Sequence, residues 1–155
     1  RSFGSFFLFN ICDSKETVFT ANPPFDEEIM EQMADRLESQ LHKCKNAGLS
    51  KTIIITIPVW DSKSQKKIGA PDYGMDFIAF DKLLKSSFFM EHDIFRKDEF
   101  PYWDYYKQKL IPVSFTHLIV LATGQTSYTI TNIKKKWLMY RHTSKGGIGK
   151  SNLHK

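Results

Sequence analysis

The residues best suited to chemistry form one short segment, Asn22-Pro23-Pro24-Phe25, which lies between a β-prone stretch and the start of a predicted helix. The Asn22 side-chain oxygen and the Pro23 carbonyl can each accept a hydrogen bond from an NH2 group. The two prolines restrict the backbone and would hold these acceptors in place, which combines positional and electrostatic catalysis. Phe25 offers a flat face for a base, an interaction worth about 1–3 kcal/mol. The segment therefore predicts a site for a planar ring that bears an exocyclic amine.

This segment resembles the signature of amino methyltransferases with a Rossmann-like fold, in which Asn or Asp is followed by two prolines and an aromatic residue. An amine conjugated to a ring has a delocalised lone pair, so such a site must hold both hydrogens and turn the lone pair toward a methyl sulfonium. The resemblance implies S-adenosylmethionine as the methyl donor and requires no metal. The alternative is a Pro-Pro turn that only caps a helix. It is less favoured here because a strand precedes the segment and a capped helix follows it.

The elements that must position this segment form a predicted βαβ unit. Thr17 to Ala21 is a short β-prone stretch that must stop at the two prolines. A helix then begins at Asp26, a good N-cap, and ends near Gly48, the expected C′ residue. Apolar residues recur on one face of this helix; they are Ile29, Met33, Leu37, Leu41 and Cys44. Lys51 to Trp60 carries an almost unbroken isoleucine run, which predicts a strand buried on both faces of a parallel sheet.

Beyond this unit the pattern predicts one long loop and three further elements. Asp61 to Gly74 is polar and is predicted to be a loop at the carboxyl end of the second strand. Phe77 to Phe89 predicts a helix with Ile78, Leu83 and Leu84 facing inward, and Met90 to Phe95 predicts a strand. Phe115 to Thr123 predicts another fully buried strand. The whole pattern indicates an α/β protein.

Composition and charge limit the class of protein. With 41% hydrophobic and 25% charged residues, the 155-residue chain has a globular composition and is long enough for one domain. No run of 18 apolar residues occurs, so no membrane span is expected. The net charge is +5, but seven basic residues and no acid lie between Lys134 and Lys155, so the basicity belongs to this tail. A basic tail favours a polyanionic partner.

Cysteine and histidine usage gives weaker indications. Cys12 and Cys44 lack metal-ligand or redox spacing, and Cys44 falls on the apolar face of the predicted helix. We therefore expect a buried thiol and a reducing compartment. His92 and His117 have no Cys or His partners at ligand spacing, so a metal site is not favoured.

Several segments together resemble the catalytic domain of the phosphorylated CTD-interacting factor family; they are Gly4-Ser5-Phe6, Ala21 to Phe25, Ile57 to Trp60, Glu91 to Asp93 and Tyr106-Lys107. The resemblance covers roughly residues 3–124. It implies a methyltransferase that uses S-adenosylmethionine to modify the N6 amine of adenosine. The implied substrate is the 2′-O-methyladenosine beside the 7-methylguanosine cap of mRNA.

The same resemblance implies roles for individual residues and a place in a larger fold. Asn22 and Pro23 would hold the amine beside the cofactor, Pro24 would shape the turn, and Phe25 would stack on the base. The fold would be a Rossmann-like class I methyltransferase, represented by the C-terminal part of its sheet, about strands 4–7, with a last antiparallel strand near Phe115 to Thr123. No G-x-G loop precedes Asn22, so we expect the cofactor-binding half to be missing. Residues 1–125 would then be the C-terminal half of the catalytic domain, and residues 126–155 a basic tail.

Rings and positive charges alternate within residues 102–109, as they do in proteins that bind single-stranded nucleic acid. We predict RNA contact there at Tyr106 and Lys107, with an ordinary amphipathic surface as the alternative. Trp60 ends a strand next to the expected nucleotide. A role in the cleft and a role in the core are equally favoured for this ring.

Three hypotheses of function remain open. The first is the RNA methyltransferase acting on capped mRNA, in the nucleus or, in a virus, in the cytoplasm. The second is the same motif acting on adenine in other RNA or in DNA, or on another amine such as a glutamine side chain; the rings and basic tail favour nucleic acid. The third is a non-catalytic module that binds RNA or RNA polymerase II. Any contact with the phosphorylated C-terminal domain of the polymerase is expected through regions outside this chain.

Overall fold

The computed structural model describes residues 9–69, 74–99, 102–104, 106–111 and 115–137. The Gly4-Ser5-Phe6 segment and the tail beyond residue 137 lie outside the described residues. The elements are, in chain order, a 3-10 turn at Ile11–Asp13, β1 (Val18–Ala21), α1 (Glu27–Asn46), β2 (Thr52–Pro58), α2 (Ser62–Lys67), α3 (Ile78–Leu84), β3 (Phe89–Phe95), β4 (Tyr102–Asp104), β5 (Lys109–Ile111) and β6 (Thr116–Ala122). A C-terminal helical segment follows at residues 130–137.

Four strands form one mixed sheet in the order β1-β2-β6-β3. β1 and β2 are parallel, and β6 lies antiparallel between β2 and β3. The α/β prediction and the prediction of an antiparallel strand near Phe115 to Thr123 are therefore confirmed. β4 and β5 form a separate two-stranded hairpin.

Helix α1 forms as its sequence predicts. Asp26 caps it by accepting a hydrogen bond from the backbone N–H of Ile29 at 2.9 Å. It ends at Asn46, and Gly48, just beyond the Ala47 cap, has a φ of 70°, a conformation that glycine adopts without a steric penalty. One face of the helix is buried against the sheet and α3; its buried residues are Met30, Met33, Ala34, Leu37, Gln40, Leu41 and Cys44.

Both faces of the sheet are covered, as the isoleucine run predicts. On one face, alternate residues of β2 and β6 pack in the core that contains α1 and α3; they include Ile53, Ile55, Ile57, Ile119 and Leu121. On the opposite face, Leu118 and Val120 pack with Phe95 and with Ile130 of the C-terminal helical segment. All seven residues of β6 are buried. Such a strand gives the sheet a rigid centre, because its side chains are fixed from both sides.

Two predictions for the segment after β2 are wrong. The predicted loop Asp61 to Gly74 contains α2, which begins because the Asp61 carboxylate accepts a hydrogen bond from the Ser64 N–H at 2.8 Å. The helix predicted within Phe77 to Phe89 forms but is shorter; Leu83 is buried as predicted, whereas Ile78 at its start is 52% exposed rather than inward. The helix stops before Ser86, whose hydroxyl accepts a hydrogen bond from the Phe88 N–H and so favours a turn.

The prediction of a free buried thiol at Cys44 is also wrong. Cys44 is fully buried, as expected, but it is joined to Cys12 by a disulfide bond. The 3-10 turn that carries Cys12 is held against α1 by the Gln40 side chain. That side chain accepts from the Ile11 N–H at 2.7 Å and donates to the Phe9 carbonyl at 2.8 Å. The Gln40 hydrogen bonds hold the 3-10 turn against α1, and this brings the sulfur atoms of Cys12 and Cys44 within bonding distance.

Candidate functional site

The candidate site lies where β1 and β2 end. Because the two strands are parallel and Ala21 pairs with Ile55, their carboxyl ends lie at the same edge of the sheet. The Asn22-to-Phe25 segment follows β1 at this edge, and Trp60 follows β2. Side chains from distant parts of the sequence therefore meet here, as in other open α/β sheets that bind ligands at this edge.

The predicted amine-binding segment is accessible. Asn22 is exposed, and its side chain makes no hydrogen bond to any residue within the described ranges. Pro23 is half-buried, and the Pro24 carbonyl accepts a hydrogen bond from the Asp26 N–H at 2.8 Å, which closes a tight turn before α1. The Asn22 oxygen is thus available to a ligand and is carried by a restrained backbone.

The Phe25 and Trp60 rings meet at the edge of the sheet. Phe25 is 42% exposed, and its ring lies edge-on to Trp60 with centroids 5.8 Å apart and planes at 79°. Trp60 is half-buried and contacts Phe77, with ring centroids 5.4 Å apart. Trp60 therefore has one side in the core and another beside Phe25, and its role in a ligand-binding cleft stays a prediction. An exposed ring beside a supported one can hold a planar ligand.

The backbone of Trp60 is fixed by a second segment of the chain. Its carbonyl accepts a hydrogen bond from the Met75 N–H at 3.0 Å, and the Ser62 N–H donates to the Met75 carbonyl at 3.3 Å. Gly74 permits this approach, because a Cβ at that position would lie 2.1 Å from the Ser62 Cα. Only glycine allows the two backbones to come so close.

Asp61, the residue after Trp60, begins a chain of three titratable side chains that sequence reasoning missed as a unit. Asp61 Oδ1 and His117 Nε2 are 2.7 Å apart, and His117 Nδ1 and His92 Nε2 are also 2.7 Å apart. His117 is fully buried, Asp61 is 7% exposed, and His92 is half-buried. The sequence separations of 56 and 25 residues carry no local signal for this arrangement.

The ionisation of these three side chains follows from their burial. Burial alone would raise the pKa of Asp61, but hydrogen bonds from His117 and Ser64 outweigh it and lower that pKa to about 2. Burial, together with repulsion from the positive charge of a protonated His117, lowers the pKa of His92 to about 4. Burial also lowers the pKa of His117, although its bond to Asp61 opposes that change. Near neutral pH the three side chains are therefore one carboxylate and two neutral imidazoles.

These pKa values predict that the protein loses stability in mild acid. Unfolded His92 gains a proton near pH 6.5 and folded His92 only near pH 4, so the unfolded state binds more protons between these values. We expect the free energy of unfolding to fall by about 1–2 kcal/mol as pH falls from 6.5 to 4, with the full shift reduced because His92 is half-exposed. His117 adds to this loss in the same direction, and Asp61 adds to it below pH 4.

Urea denaturation of the wild type and of His92→Gln at pH 7.5, 6 and 5 checks this expectation. The introduced glutamine keeps an N–H donor but cannot titrate, so the variant should show a flatter pH profile. Identical slopes in the two proteins would contradict the assignment to His92.

The structure places the other predicted RNA-binding residues in a different part of the fold. Tyr106 and Lys107 lie in the turn that joins β4 to β5, in the hairpin rather than in the four-stranded sheet. Tyr106 is fully exposed, and Gln108 in the same turn has a φ of 51°. The structure therefore unites Asn22, Phe25 and Trp60 at one edge but assigns Tyr106 and Lys107 to a separate exposed turn.

A basic surface next to the site was also missed, since sequence analysis assigned the positive charge to the tail. Lys63, Lys66 and Lys67 are exposed on α2, which begins one residue after Asp61. None of them forms an ion pair with another described residue. Their spacing of three and four residues places them on one side of the helix. The three lysines are visible in the sequence, but the prediction of a loop over this segment gives no reason to place them on one side of a helix.

No group of three or more His, Cys, Asp or Glu residues among the described positions is arranged to hold a metal ion. Across the same ranges, no helix combines the length and apolar character needed to cross a membrane.

These features define an α/β protein with a mixed sheet and a polar and aromatic site at the carboxyl edge of its parallel strands. The family described as "Phosphorylated CTD interacting factor 1 WW domain" matches residues 1–104, well over half of the 155 residues. The chain belongs to this family. The match includes the Asn22-to-Phe25 segment, Trp60 and His92, whereas β6 and His117 lie beyond it. No curated protein matches the chain.

Proposed function

We propose that this chain carries the amine-holding part of an S-adenosylmethionine-dependent methyltransferase that acts on adenine N6 in RNA. The observation that carries the proposal is the Asn22 side chain. It is exposed, has no hydrogen-bond partner in the described ranges, and lies on a proline-restrained turn at the carboxyl end of a parallel strand. Three residues further along the chain, the Phe25 ring lies against Trp60, and these rings offer faces for a base.

The sheet topology supports the same class of enzyme. In a class I methyltransferase the C-terminal part of the sheet has two parallel strands followed by an antiparallel strand inserted before the last parallel one. The order β1-β2-β6-β3, with β6 antiparallel, agrees with strands 4–7 of that arrangement. Residues 1–125 would accordingly be the C-terminal half of a catalytic domain.

The residues at the edge fit the reacting end of the cofactor. S-adenosylmethionine, when bound, supplies an activated methyl group on a sulfonium. Asn22 Oδ1 and the Pro23 carbonyl would accept the two amine hydrogens, which draws the nitrogen lone pair out of conjugation with the ring. Phe25 would stack on the base while Trp60 supports it. We assign no residue of this chain to the adenosyl part of the cofactor, because no glycine-rich loop precedes Asn22.

Exposed positive charge supports RNA rather than a protein substrate. The α2 lysines follow Trp60 closely in the chain, and Tyr106 and Lys107 add a ring and a charge on the separate hairpin turn. Basic residues interleaved with rings suit a single-stranded polyanion. The cap-proximal 2′-O-methyladenosine of mRNA is the substrate that the family resemblance implies, with a nuclear location, or a cytoplasmic one for a viral protein.

The test uses the complete natural polypeptide that contains this sequence, labelled S-adenosylmethionine and short RNAs beginning with adenosine, capped or uncapped. N6-methyladenosine formed on capped RNA alone would support the cap-proximal substrate. Equal labelling of uncapped RNA would support a general adenine methyltransferase. No labelling of either RNA, despite measured cofactor and RNA binding, would refute RNA methylation.

The family's printed name favours a second candidate, a non-catalytic module that binds a phosphorylated C-terminal domain. A phosphorylated repeat peptide from that domain, titrated into the same polypeptide, separates the two. Tight peptide binding without methyl transfer would favour the module. Methyl transfer that the peptide does not alter would favour the enzyme.

A further inference from the structure

We propose that Asp61, His117 and His92 act as a positioning unit that fixes the Trp60 ring as one wall of the ring-binding site. The proposal rests on the proposed function only where it takes the occupant to be adenine. Its parts connect to Trp60 by two separate routes, one through the backbone and one through stacked rings.

The first route runs through Asp61, the neighbour of Trp60 in the chain. One carboxylate oxygen accepts from His117 Nε2 at 2.7 Å and the other from the Ser64 N–H at 2.8 Å. Asp61 is 7% exposed, so water does not compete for these bonds. With both oxygens engaged, the carboxylate restrains the backbone on which Trp60 is carried, in addition to the hydrogen bond from Met75.

The second route runs through the aromatic rings. The His117 imidazole is stacked on Phe80 with centroids 3.8 Å apart and planes at 13°. The Phe80 and Phe77 centroids are 6.5 Å apart, and those of Phe77 and Trp60 are 5.4 Å apart. His117 itself is fixed in β6, opposite Ile57 on one side and Ile94 on the other. Both routes therefore begin at a side chain in the most buried strand and end at Trp60.

His92 gives this unit a single direction of hydrogen bonding. An ionised Asp61 can only accept, so His117 must carry its proton on Nε2. His117 Nδ1 is then an acceptor, and His92 must donate to it from Nε2. The charge on Asp61 therefore sets the tautomer of both imidazoles, and each ring has one orientation that satisfies all partners.

Core packing alone does not account for this unit. Burying a carboxylate and an imidazole costs several kcal/mol in lost hydration, and apolar residues of similar size usually fill such a space with equal or better stability. A fully satisfied polar network instead fixes one arrangement of its neighbours. Its connection to Trp60, through the neighbouring Asp61 and through the Phe80 and Phe77 rings, gives that rigidity a use at the site.

The central experiment compares Asp61→Asn with Asp35→Asn, the same chemical change at an exposed carboxylate of α1 that pairs with Lys82. The asparagine introduced in place of Asp61 can still cap α2 but offers His117 an NH2 group. We expect ¹⁵N NMR to show His117 change from the Nε2–H to the Nδ1–H tautomer. Cross-peaks between the Trp60 ring and Phe25 or Phe77 should weaken. Affinity for adenosine 5′-monophosphate should fall roughly tenfold in Asp61→Asn and stay unchanged in Asp35→Asn.

A second pair keeps the test decisive if Asp61→Asn does not fold. His92→Gln retains an N–H donor for His117, whereas His92→Leu removes it at a half-buried position. We expect the Leu variant alone to lose Trp60 cross-peaks and nucleotide affinity. Unchanged cross-peaks in folded Asp61→Asn and His92→Leu would overturn the positioning role. A wild type that binds no nucleotide would overturn the proposed adenine site, while the cross-peaks would still decide the positioning role.

Discussion

Replacing Asn22 with alanine will lower kcat for methyl transfer by about a hundred- to a thousandfold, the usual cost of removing one preorganised hydrogen-bonding group that acts on the reacting atoms. The side-chain oxygen is proposed to hold one amine hydrogen while the lone pair turns toward the methyl group. This contact is worth most in the transition state, so KM for RNA should change little. Because Asn22 is exposed and has no side-chain partner in the described ranges, the melting temperature should also change little.

Single-turnover and steady-state kinetics on the complete polypeptide, with circular dichroism for stability, measure these quantities. Asn22→Asp is the matched control, since its carboxylate keeps an acceptor oxygen at the same position and should retain more activity than Asn22→Ala. A higher KM with unchanged kcat in Asn22→Ala would show that Asn22 binds the substrate without orienting its amine.

Breaking the Cys12–Cys44 bond will lower the free energy of unfolding by about 3–4 kcal/mol. This is the free-energy equivalent of the entropy that the unfolded chain gains when a cross-link closing a loop of this size is removed. The two cysteines are 32 residues apart, and the bond ties the 3-10 turn to the buried face of α1. Without it, the turn depends on Gln40 and on the bond from Arg36 to the Phe9 carbonyl. Cys12→Ala and the reduced wild type should lose similar amounts, because both remove only the cross-link.

Urea denaturation with and without reductant measures the effect, and Ser14→Ala, at the residue that ends the 3-10 turn, serves as a control that leaves the bond intact. Alkylation of the native protein, followed by mass spectrometry, counts the free thiols. Two alkylated cysteines in protein purified without reductant would contradict the bond. Nuclear proteins usually keep their thiols reduced, so the same measurement on protein from its own cells bears on the proposed location.

The sequence predicts the part of the site that depends on local patterns, namely the Asn22 segment between β1 and α1 and its meeting with Trp60. A capped helix with a regular apolar face leaves few alternatives for α1, and two prolines must end β1 where they stand. Parallel strands in a βαβ unit then bring the Asn22 segment and Trp60 to the same edge. These inferences need only the chain between residues 17 and 60.

The parts that were not predicted depend on contacts between distant residues. The register of β6 against β2 and β3 decides that His117 meets both Asp61 and His92, and no local pattern specifies that register. α2 has the sequence Ser-Lys-Ser-Gln-Lys-Lys, without an apolar residue to reveal a helical period, so no hydrophobic pattern predicts this helix. The Cys12–Cys44 bond likewise depends on how Gln40 orients the turn above it.

The place of β6 in the sheet has a consequence for how the protein is made. β2 and β3 have both been synthesised once Phe95 is added. β6 (Thr116–Ala122), the strand that lies between them in the sheet, leaves the ribosome only later. During that interval the facing edges of β2 and β3 stay unpaired, a state that invites aggregation and chaperone binding. The family match ends at residue 104 and so excludes this strand. A gene fragment that ends at residue 104 would encode β1, β2 and β3 but not β6, the strand that joins β2 to β3 in the sheet.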